Sequence, residues 1–226
     1  MSKRMIRVLP VLVLFSLAGV PGASAQGVSA YFGLGSAFNS AATAPGCPSG
    51  QITDPFAAFQ PGPCVPVSDM GGVFGVFGAD FMIKPHLGFN GEYSFRFAQS
   101  HYFDTDSTSP PTPINIRPNF YDFNAVYQPT AGDRQVVPVL EGGIGGAKLS
   151  YYANPGAGTI FSGSQFVANS NHFQVHGAVG VKLYVKGDMF IKPQFDIRWV
   201  HNLTDQYGRN YVPEFTISVG YTFGRS

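Results

Sequence analysis

The sequence predicts an all-β fold, an eight-stranded antiparallel up-and-down transmembrane β-barrel, from three observations. Apolar and polar residues alternate in segments of about ten residues, the length of a tilted membrane strand. Charged residues make up only 12% of the chain, whereas aromatic residues make up 15%; soluble domains have about 25% charged residues. Short and long connections alternate between the segments. We infer that the apolar faces contact lipid and that the polar faces line the lumen.

The N-terminus has the pattern of a secretory signal peptide. Basic residues precede an apolar run over 8–20, and small residues occupy the last positions before Gln26. The run is too short to span a membrane as a helix. We therefore expect cleavage between Ala25 and Gln26, which removes 1–25 and leaves 26–226 as the barrel domain. The remaining chain has no basic excess, so a nucleic-acid partner is not expected.

The first four predicted strands are 28–38, 73–83, 86–97 and 119–128. The third is the most regular, because Phe89 and Tyr93 lie on one face while Glu92 and Arg96 lie on the other. The second and fourth alternate in the same way, each with aspartate on the polar face. Strands with two such different faces separate two different media.

The last four predicted strands are 136–152, 172–185, 189–201 and 211–223. The first of these is the least regular, because Glu141 and Lys148 cannot both face inward under a strict period of two. We predict a β-bulge near Gly145–Gly146 that shifts the phase. Both charges would then face the lumen, and Ala147 and Leu149 would face outward. The other three strands alternate without such a conflict.

The connections predict how the barrel is oriented. Those after the second, fourth and sixth strands are short. The others are longer and rich in Pro, Ser, Asn and Gly, at about 39–72, 98–118, 153–171 and 202–210. This alternation is typical of a barrel with short periplasmic turns and long outer loops, so both termini are expected to be periplasmic.

The predicted lumen carries charged residues of both signs in near balance. The acidic residues are Asp80, Glu92, Asp122, Glu141, Asp196 and Glu214, and the basic residues are Arg96, Lys148, Lys182, Lys192 and Arg198. Charges in a narrow lumen are costly unless they are paired, so we expect a salt-bridged plug rather than an open pore. The main alternative is a secreted lipocalin-like barrel, in which the apolar faces of the strands point inward and the polar faces point to water. It would have to hold the many aromatic side chains inside a lumen that is too narrow for them.

Several segments resemble the OmpA-like eight-stranded outer-membrane β-barrel family of Gram-negative bacteria. They are the signal peptide, GGVFGVFGADFMIKPHLGFNGEYSFRF, PVLEGGIGGAKL and the aromatic C-terminal strand FTISVGYTF. The resemblance implies an outer-membrane location. It also implies contacts with outer-membrane lipid and lipopolysaccharide, with the barrel assembly machinery, and with a surface ligand through the outer loops. Two features depart from the family: three residues follow Phe223, and we expect the membrane domain without the peptidoglycan-binding domain.

The two cysteines, Cys47 and Cys64, lie in the longest outer loop. Export to an oxidising compartment favours a structural disulfide between them.

Neither a metal site nor a cofactor site is expected. His172 and His176 share a face, but they lie about 13 Å apart along a strand, too far for one metal ion.

The function predicted from these observations is non-enzymatic. The barrel would act as a structural or surface-interaction protein, in adhesion or envelope integrity, through its outer loops. A narrow channel for small solutes is the alternative. A secreted lipocalin-like binder and a lipid A-modifying enzyme are less favoured. Lipid A deacylases place a Ser two residues after the catalytic His, and none of the five His residues has this pattern.

Overall fold

The computed structural model describes residues 27–224 except 56, 58, 60, 106–111, 131–133 and 154–163. The predicted signal peptide, and the bond between Ala25 and Gln26 at which we expect cleavage, lie outside the described residues. The strands are β1 Val28–Ala37, β2 Gln51–Thr53, β3 Cys64–Pro66, β4 Val73–Met82, β5 Leu87–Arg96, β6 Ser100–Thr105, β7 Thr112–Tyr127, β8 Val136–Ala153, β9 Gln165–Lys186, β10 Met189–Val200 and β11 Tyr211–Phe223. A 3-10 turn, Leu203–Asp205, lies between β10 and β11.

Eight of these strands form a closed antiparallel ring, which confirms the predicted fold. The order around the ring is β1, β4, β5, β7, β8, β9, β10 and β11. Strand β11 pairs with the whole length of β1, from Val28 opposite Phe223 to Ala37 opposite Glu214. A closed ring leaves no unpaired strand edge, which the interior of a membrane requires. In the described part of the chain, no helix is both long enough and apolar enough to cross a membrane.

The apolar faces of the strands point outward, as the alternation predicts. Along β5, for example, Leu87, Phe89 and Tyr93 are exposed while Asn90 and Glu92 are buried. Exposed aromatic and aliphatic side chains occur on every strand of the ring. An exposed apolar surface that surrounds the whole barrel is far larger than soluble monomers tolerate. The lipocalin-like alternative, with its aromatic side chains inside, is therefore wrong.

Three strands continue beyond the membrane-spanning part of the barrel. Strands β7, β8 and β9 have 16, 18 and 22 residues, against about ten for a membrane strand. Strand β6 pairs with the outer part of β7. Parts of 98–118 and 153–171, which the sequence predicts as loops, are therefore strands. Their Pro, Asn and Ser residues are typical of loops, but pairing with neighbouring strands holds these segments in the sheet.

The bulge predicted near Gly145–Gly146 is absent, and this prediction was wrong. Strand β8 pairs with β7 in one continuous register from Leu140 to Ala153. Lys148 is therefore exposed on the outer face, whereas Leu149 is buried inside. The glycines have another role: a Cβ atom on Gly146 would overlap the ring of Tyr121.

Candidate functional site

The interior of the barrel is arranged in three layers along its axis. Toward the short turns, apolar side chains pack in two clusters: Val137, Tyr184 and Phe190, which continue inward to Tyr31 and Val76, and Met82, Val126 and Val139. A charged layer fills the middle of the lumen. A larger apolar cluster fills the outer end and continues into the long loops.

Arg198 is the centre of the charged layer. Its Nε atom lies 3.1 Å from Asp122 Oδ2, and its Nη2 atom lies 3.2 Å from Glu92 Oε1. The remaining terminal nitrogen, Nη1, binds Glu214 Oε2. The ring of Phe120 covers the guanidinium at 5.1 Å. Because the Arg198 side chain is 0% exposed, its charge is neutralised entirely by these neighbouring residues.

Two lysines pair with the other carboxylates on the side of the short turns. Lys182 Nζ lies 2.7 Å from Asp80 Oδ2, and Lys192 Nζ lies 2.6 Å from Glu141 Oε1. Lys192 also lies over the ring of Tyr31, 4.3 Å from its centroid. Both ammonium groups are buried, so each is held by an opposite charge rather than by water.

His176 connects the two sets of ion pairs through a chain of hydrogen bonds. Asn90 Nδ2 donates to Asp80 Oδ1 at 2.6 Å, and Asn124 Nδ2 donates to Asn90 Oδ1 at 3.1 Å. Because the Nδ2 atom of Asn124 faces Asn90, its Oδ1 atom faces His176, 2.9 Å from the Nδ1 atom of the ring. The other ring nitrogen lies 3.0 Å from Asp196 Oδ1. Both ring nitrogens are therefore engaged by oxygen atoms of neighbouring side chains.

Glu92, His176 and Asp196 have potential ligand atoms within 4.8 Å of one another. However, hydrogen bonds already engage these residues: Tyr31 Oη donates to Glu92 Oε2 at 2.8 Å, and Gln194 Nε2 donates to Asp196 Oδ1 at 2.6 Å. The positive charge beside them is the guanidinium of Arg198. In this structure the three residues are part of the ion-paired layer.

The long loops form a packed structure over the outer end of the barrel. We call the segments 38–55, 61–72, 100–105 and 201–210 the outer cap. The buried side chains of the cap pack on inward-facing residues of the strands in one apolar cluster. The cluster includes Met70, Tyr102, Phe103, Leu203 and Tyr207 from the cap and Phe74, Phe120, Leu149, Val200 and Val212 from the barrel. The outer end of the lumen is therefore filled with apolar side chains.

A disulfide ties the cap together, as the sequence predicts. Cys47 and Cys64 are bonded, with their Cα atoms 5.6 Å apart. Cys64 also begins β3, where it pairs with Thr53 of β2. The disulfide therefore fixes the preceding loop to this small hairpin.

The cap and the outer parts of β8 and β9 line an open cavity of about 440 Å³ on the outer side of the molecule. Three aromatic side chains line it, Tyr102, Phe103 and Tyr151. Aliphatic and small residues complete the apolar part of the wall, and polar residues lie among them: Ala44, Pro45, Ile52, Pro55 and Ala168, with Thr43, Thr53, Thr204, Asp205 and Gln206. Cavities of this size and composition are typical of sites for small molecules.

The electrostatics of the cavity are set by one acid and by buried phenols. Asp205 is exposed at the cavity wall. Burial, with a further contribution from the charge of Asp205, raises the pKa of Tyr151 to about 12. Burial also raises the pKa of Tyr102 well above its ordinary range. Both phenols are therefore neutral at physiological pH.

Comparisons with known proteins support the fold. No family model and no curated protein matches the sequence. Solved structures do match at a TM-score of 0.51: Neisserial surface protein A (12% identity, 87% of this chain and 97% of that one) and OprG from Pseudomonas aeruginosa (11%, 88% and 97%). A major outer membrane protein from Thermus thermophilus matches at a TM-score of 0.51 as well (10%, 86% and 99%).

The chain has the OmpA-like outer-membrane barrel fold. The apolar outer surface and this fold together place the protein in a bacterial outer membrane. The short turns lie at the same rim as the start of β1 and the end of β11. That rim is the periplasmic one in barrels of this kind, so the cap lies on the outside of the cell.

In this OmpA-like barrel, most of the charged residues predicted for the lumen are buried inside it. They are Asp80, Glu92, Asp122, Glu141, Lys182, Lys192, Asp196, Arg198 and Glu214. Arg96 lies instead at the outer end of β5, where its Nη1 atom donates to Ser100 Oγ at 2.7 Å. Lys148 lies on the outer face and does not reach the lumen. Its assignment to the lumen depended on the bulge and was wrong.

Sequence reasoning did not assign a role to the residues that connect the ion pairs. Tyr31, Asn90, Asn124, His176 and Gln194 all lie at inward positions and are buried. The alternation that locates the charged residues also places such residues in the lumen, because every second residue of a barrel strand faces it. Their hydrogen-bond partners come from different strands, and no local pattern indicates these.

Proposed function

We propose that this protein is a closed, non-conducting outer-membrane barrel that serves a structural or surface-interaction role, in adhesion or envelope integrity, through its outer cap. The observation that carries the proposal is the filled interior. An ion-paired layer lies between two apolar layers, and the charged side chains of that layer are almost completely buried.

Ion movement through this interior would require breaking several contacts at once. An ion passing Arg198 has to separate it from three carboxylates and then pass the apolar cluster at the outer end. Breaking a buried pair costs about 3–5 kcal/mol. This cost disfavours the narrow channel as an alternative function.

The arrangement also disfavours an enzyme. His176 is the histidine nearest to an acid in the lumen, and both of its ring nitrogens are engaged by Asn124 and Asp196. A catalytic base needs a free nitrogen directed at a nucleophile. Among the described residues, no serine, threonine or cysteine forms a hydrogen bond with this ring.

Single-channel recording tests the proposal. Protein refolded into detergent micelles should first migrate differently on cold and boiled SDS gels, which establishes a closed barrel. The same sample, inserted into a planar bilayer, should show no discrete conductance steps, while a general porin in the same bilayer should show them. Reproducible steps from heat-modifiable wild-type protein would contradict the proposal.

A further inference from the structure

We infer that the cavity in the outer cap binds a small, flat, largely apolar molecule that is neutral or positively charged, and that it discriminates against anions. This inference rests on the proposed function in one respect, because it assigns ligand recognition to the outer cap. It adds a binding site and a chemical class of ligand.

The size of the cavity limits the ligand to a small molecule. A cavity of about 150 Å³ lined by aliphatic and aromatic side chains accommodates benzene. The cavity here has about 440 Å³, so it has room for about two or three fused rings. Tyr102, Phe103 and Tyr151 provide ring faces and edges, and Ile52 provides aliphatic contact. Flat apolar rings match such a wall best.

The charge of the wall determines which ligands are accepted. Asp205 is the one formally charged residue among the described residues that line the cavity. The nearby phenol of Tyr151, with its pKa of about 12, is neutral at physiological pH. A cation would be attracted by Asp205 and by the aromatic faces, whereas an anion would meet a like charge with no basic partner.

The cavity is formed before any ligand arrives. The Tyr102 hydroxyl donates to the backbone carbonyl oxygen of Gln206, which joins two sides of the wall. Leu203 and Tyr207 are completely buried directly beside this segment. The disulfide at Cys47 holds the loop that contributes Thr43, Ala44 and Pro45. Preformed apolar sites bind with a smaller ordering cost.

The position of the cavity also distinguishes it from the lipid-facing surface. It is built from the outer cap and from the parts of β8 and β9 that extend above the membrane. Lipid does not cover an apolar surface there. An apolar concavity that faces water is unfavourable, and its persistence in a folded protein indicates a binding site.

Fluorescence of two related dyes tests the inference in lipid nanodiscs. The neutral dye is N-phenyl-1-naphthylamine, and the anionic one is its sulfonated counterpart, 8-anilinonaphthalene-1-sulfonate. Empty nanodiscs of the same lipid give the background. The neutral dye should bind the wild-type protein saturably, with one site per barrel, and about tenfold more tightly than the anionic dye.

Matched variants on neighbouring residues locate the site. Ala168→Phe fills the cavity from β9 and should weaken binding of the neutral dye by about tenfold or more. Val167→Phe adds a similar side chain at the neighbouring exposed position, which does not line the cavity, and should change the affinity by no more than about twofold. Asp205→Asn should strengthen binding of the anionic dye and leave the neutral dye unaffected. Each variant is first checked for the heat-dependent gel shift.

The outcomes separate this inference from the proposed function. Equal dye binding by wild-type, Ala168→Phe and empty nanodiscs would overturn the inference, and a silent bilayer recording would still support the closed barrel. Saturable binding lost in Ala168→Phe would support the site even if the barrel conducted. Equal affinities of the two dyes for wild-type protein would overturn the charge preference.

Discussion

The middle of the lumen and the outer cap are both buried, but different forces stabilise them. In the lumen, nearly every large side chain is charged or polar, and three carboxylates surround the guanidinium of Arg198. In the cap, apolar side chains such as Tyr102, Leu203 and Tyr207 pack together, and a disulfide ties the segments. The two regions meet at Phe120, which covers Arg198 and belongs to the apolar cluster.

Strand β7 shows why the two regions differ. Its inward residues change from Ile114, Ile116 and Phe120 in the outer part to Asp122 and Asn124 in the membrane part. Its outward residues change in the opposite sense, from Asn115, Arg117 and Asn119 to Tyr121 and Phe123. The alternation of inward and outward residues continues without a shift along the strand. The exchange of polar and apolar residues between the two faces therefore reflects the medium outside the barrel, which is water around the outer part and lipid around the membrane part.

The same exchange between the two faces explains the wrong assignment of Lys148. It lies on the outer face of β8, opposite Asn119 of β7 and Asn171 of β9. At this height the outer face is polar and the inner face, at Leu149, is apolar. Glu141 faces inward because it lies lower, where lipid is outside. No bulge is needed to reconcile Glu141 and Lys148, because their surroundings differ.

Replacing Arg198 should have the largest effect and should act on the barrel. Arg198→Met leaves three buried carboxylates without their cation and should lower the free energy of unfolding by about 3–5 kcal/mol. Urea unfolding of the refolded protein, followed by gel mobility, measures this. Lys148→Met removes the same kind of charge from an exposed position and should cost less than about 0.5 kcal/mol. Equal losses in the two variants would show that Arg198 is not the centre of the charged layer.

Removing the disulfide should have a smaller effect that is confined to the cap. The bond joins residues separated by 17 positions, and a loop of this length contributes about 3 kcal/mol in the chain-entropy model. The double variant Cys47→Ser, Cys64→Ser should therefore be cleaved faster by protease in the cap.

The barrel of that double variant should keep its heat-dependent gel shift and its urea midpoint. Wild-type protein treated with a reductant serves as the control and should behave in the same way. A midpoint that fell together with the resistance to protease would mean that the cap and the barrel unfold as one unit.

A titration of Tyr151 should give the smallest effect, again in the cap. Its pKa in the folded protein is about 12, because burial and the charge of Asp205 disfavour the phenolate. The unfolded value is about 10. The stabilisation is therefore complete below about pH 10 and is lost as the pH rises toward about 12.

The absorbance of phenolate in wild-type protein, minus that of Tyr151→Phe, should show this late titration. The resistance of the cap to protease should fall over the same pH range in wild-type protein and less in the variant. A difference titration centred near the unfolded value of about 10 would show that the side chain is not buried in solution.

The sequence alone determined the features that depend on alternation. It predicted the eight strands of the ring, the lipid-facing side of strands such as β5, the disulfide and the inward position of residues such as Asp80 and Arg198. These predictions succeed because a strand exposes every second residue to the same medium, so a local period reports a global orientation. The same local period could not reveal where the outer medium changes from lipid to water.

Only the tertiary structure decided the partners within the lumen and the packing of the cap. Glu92 and Arg198 are 106 positions apart, and Tyr102 and Gln206 are 104 apart. Glu92 meets Arg198 because the ring of strands closes, and Tyr102 meets Gln206 because the loops fold over the outer end of the barrel. Contacts between such distant residues depend on the whole fold, so no local pattern in the sequence specifies them.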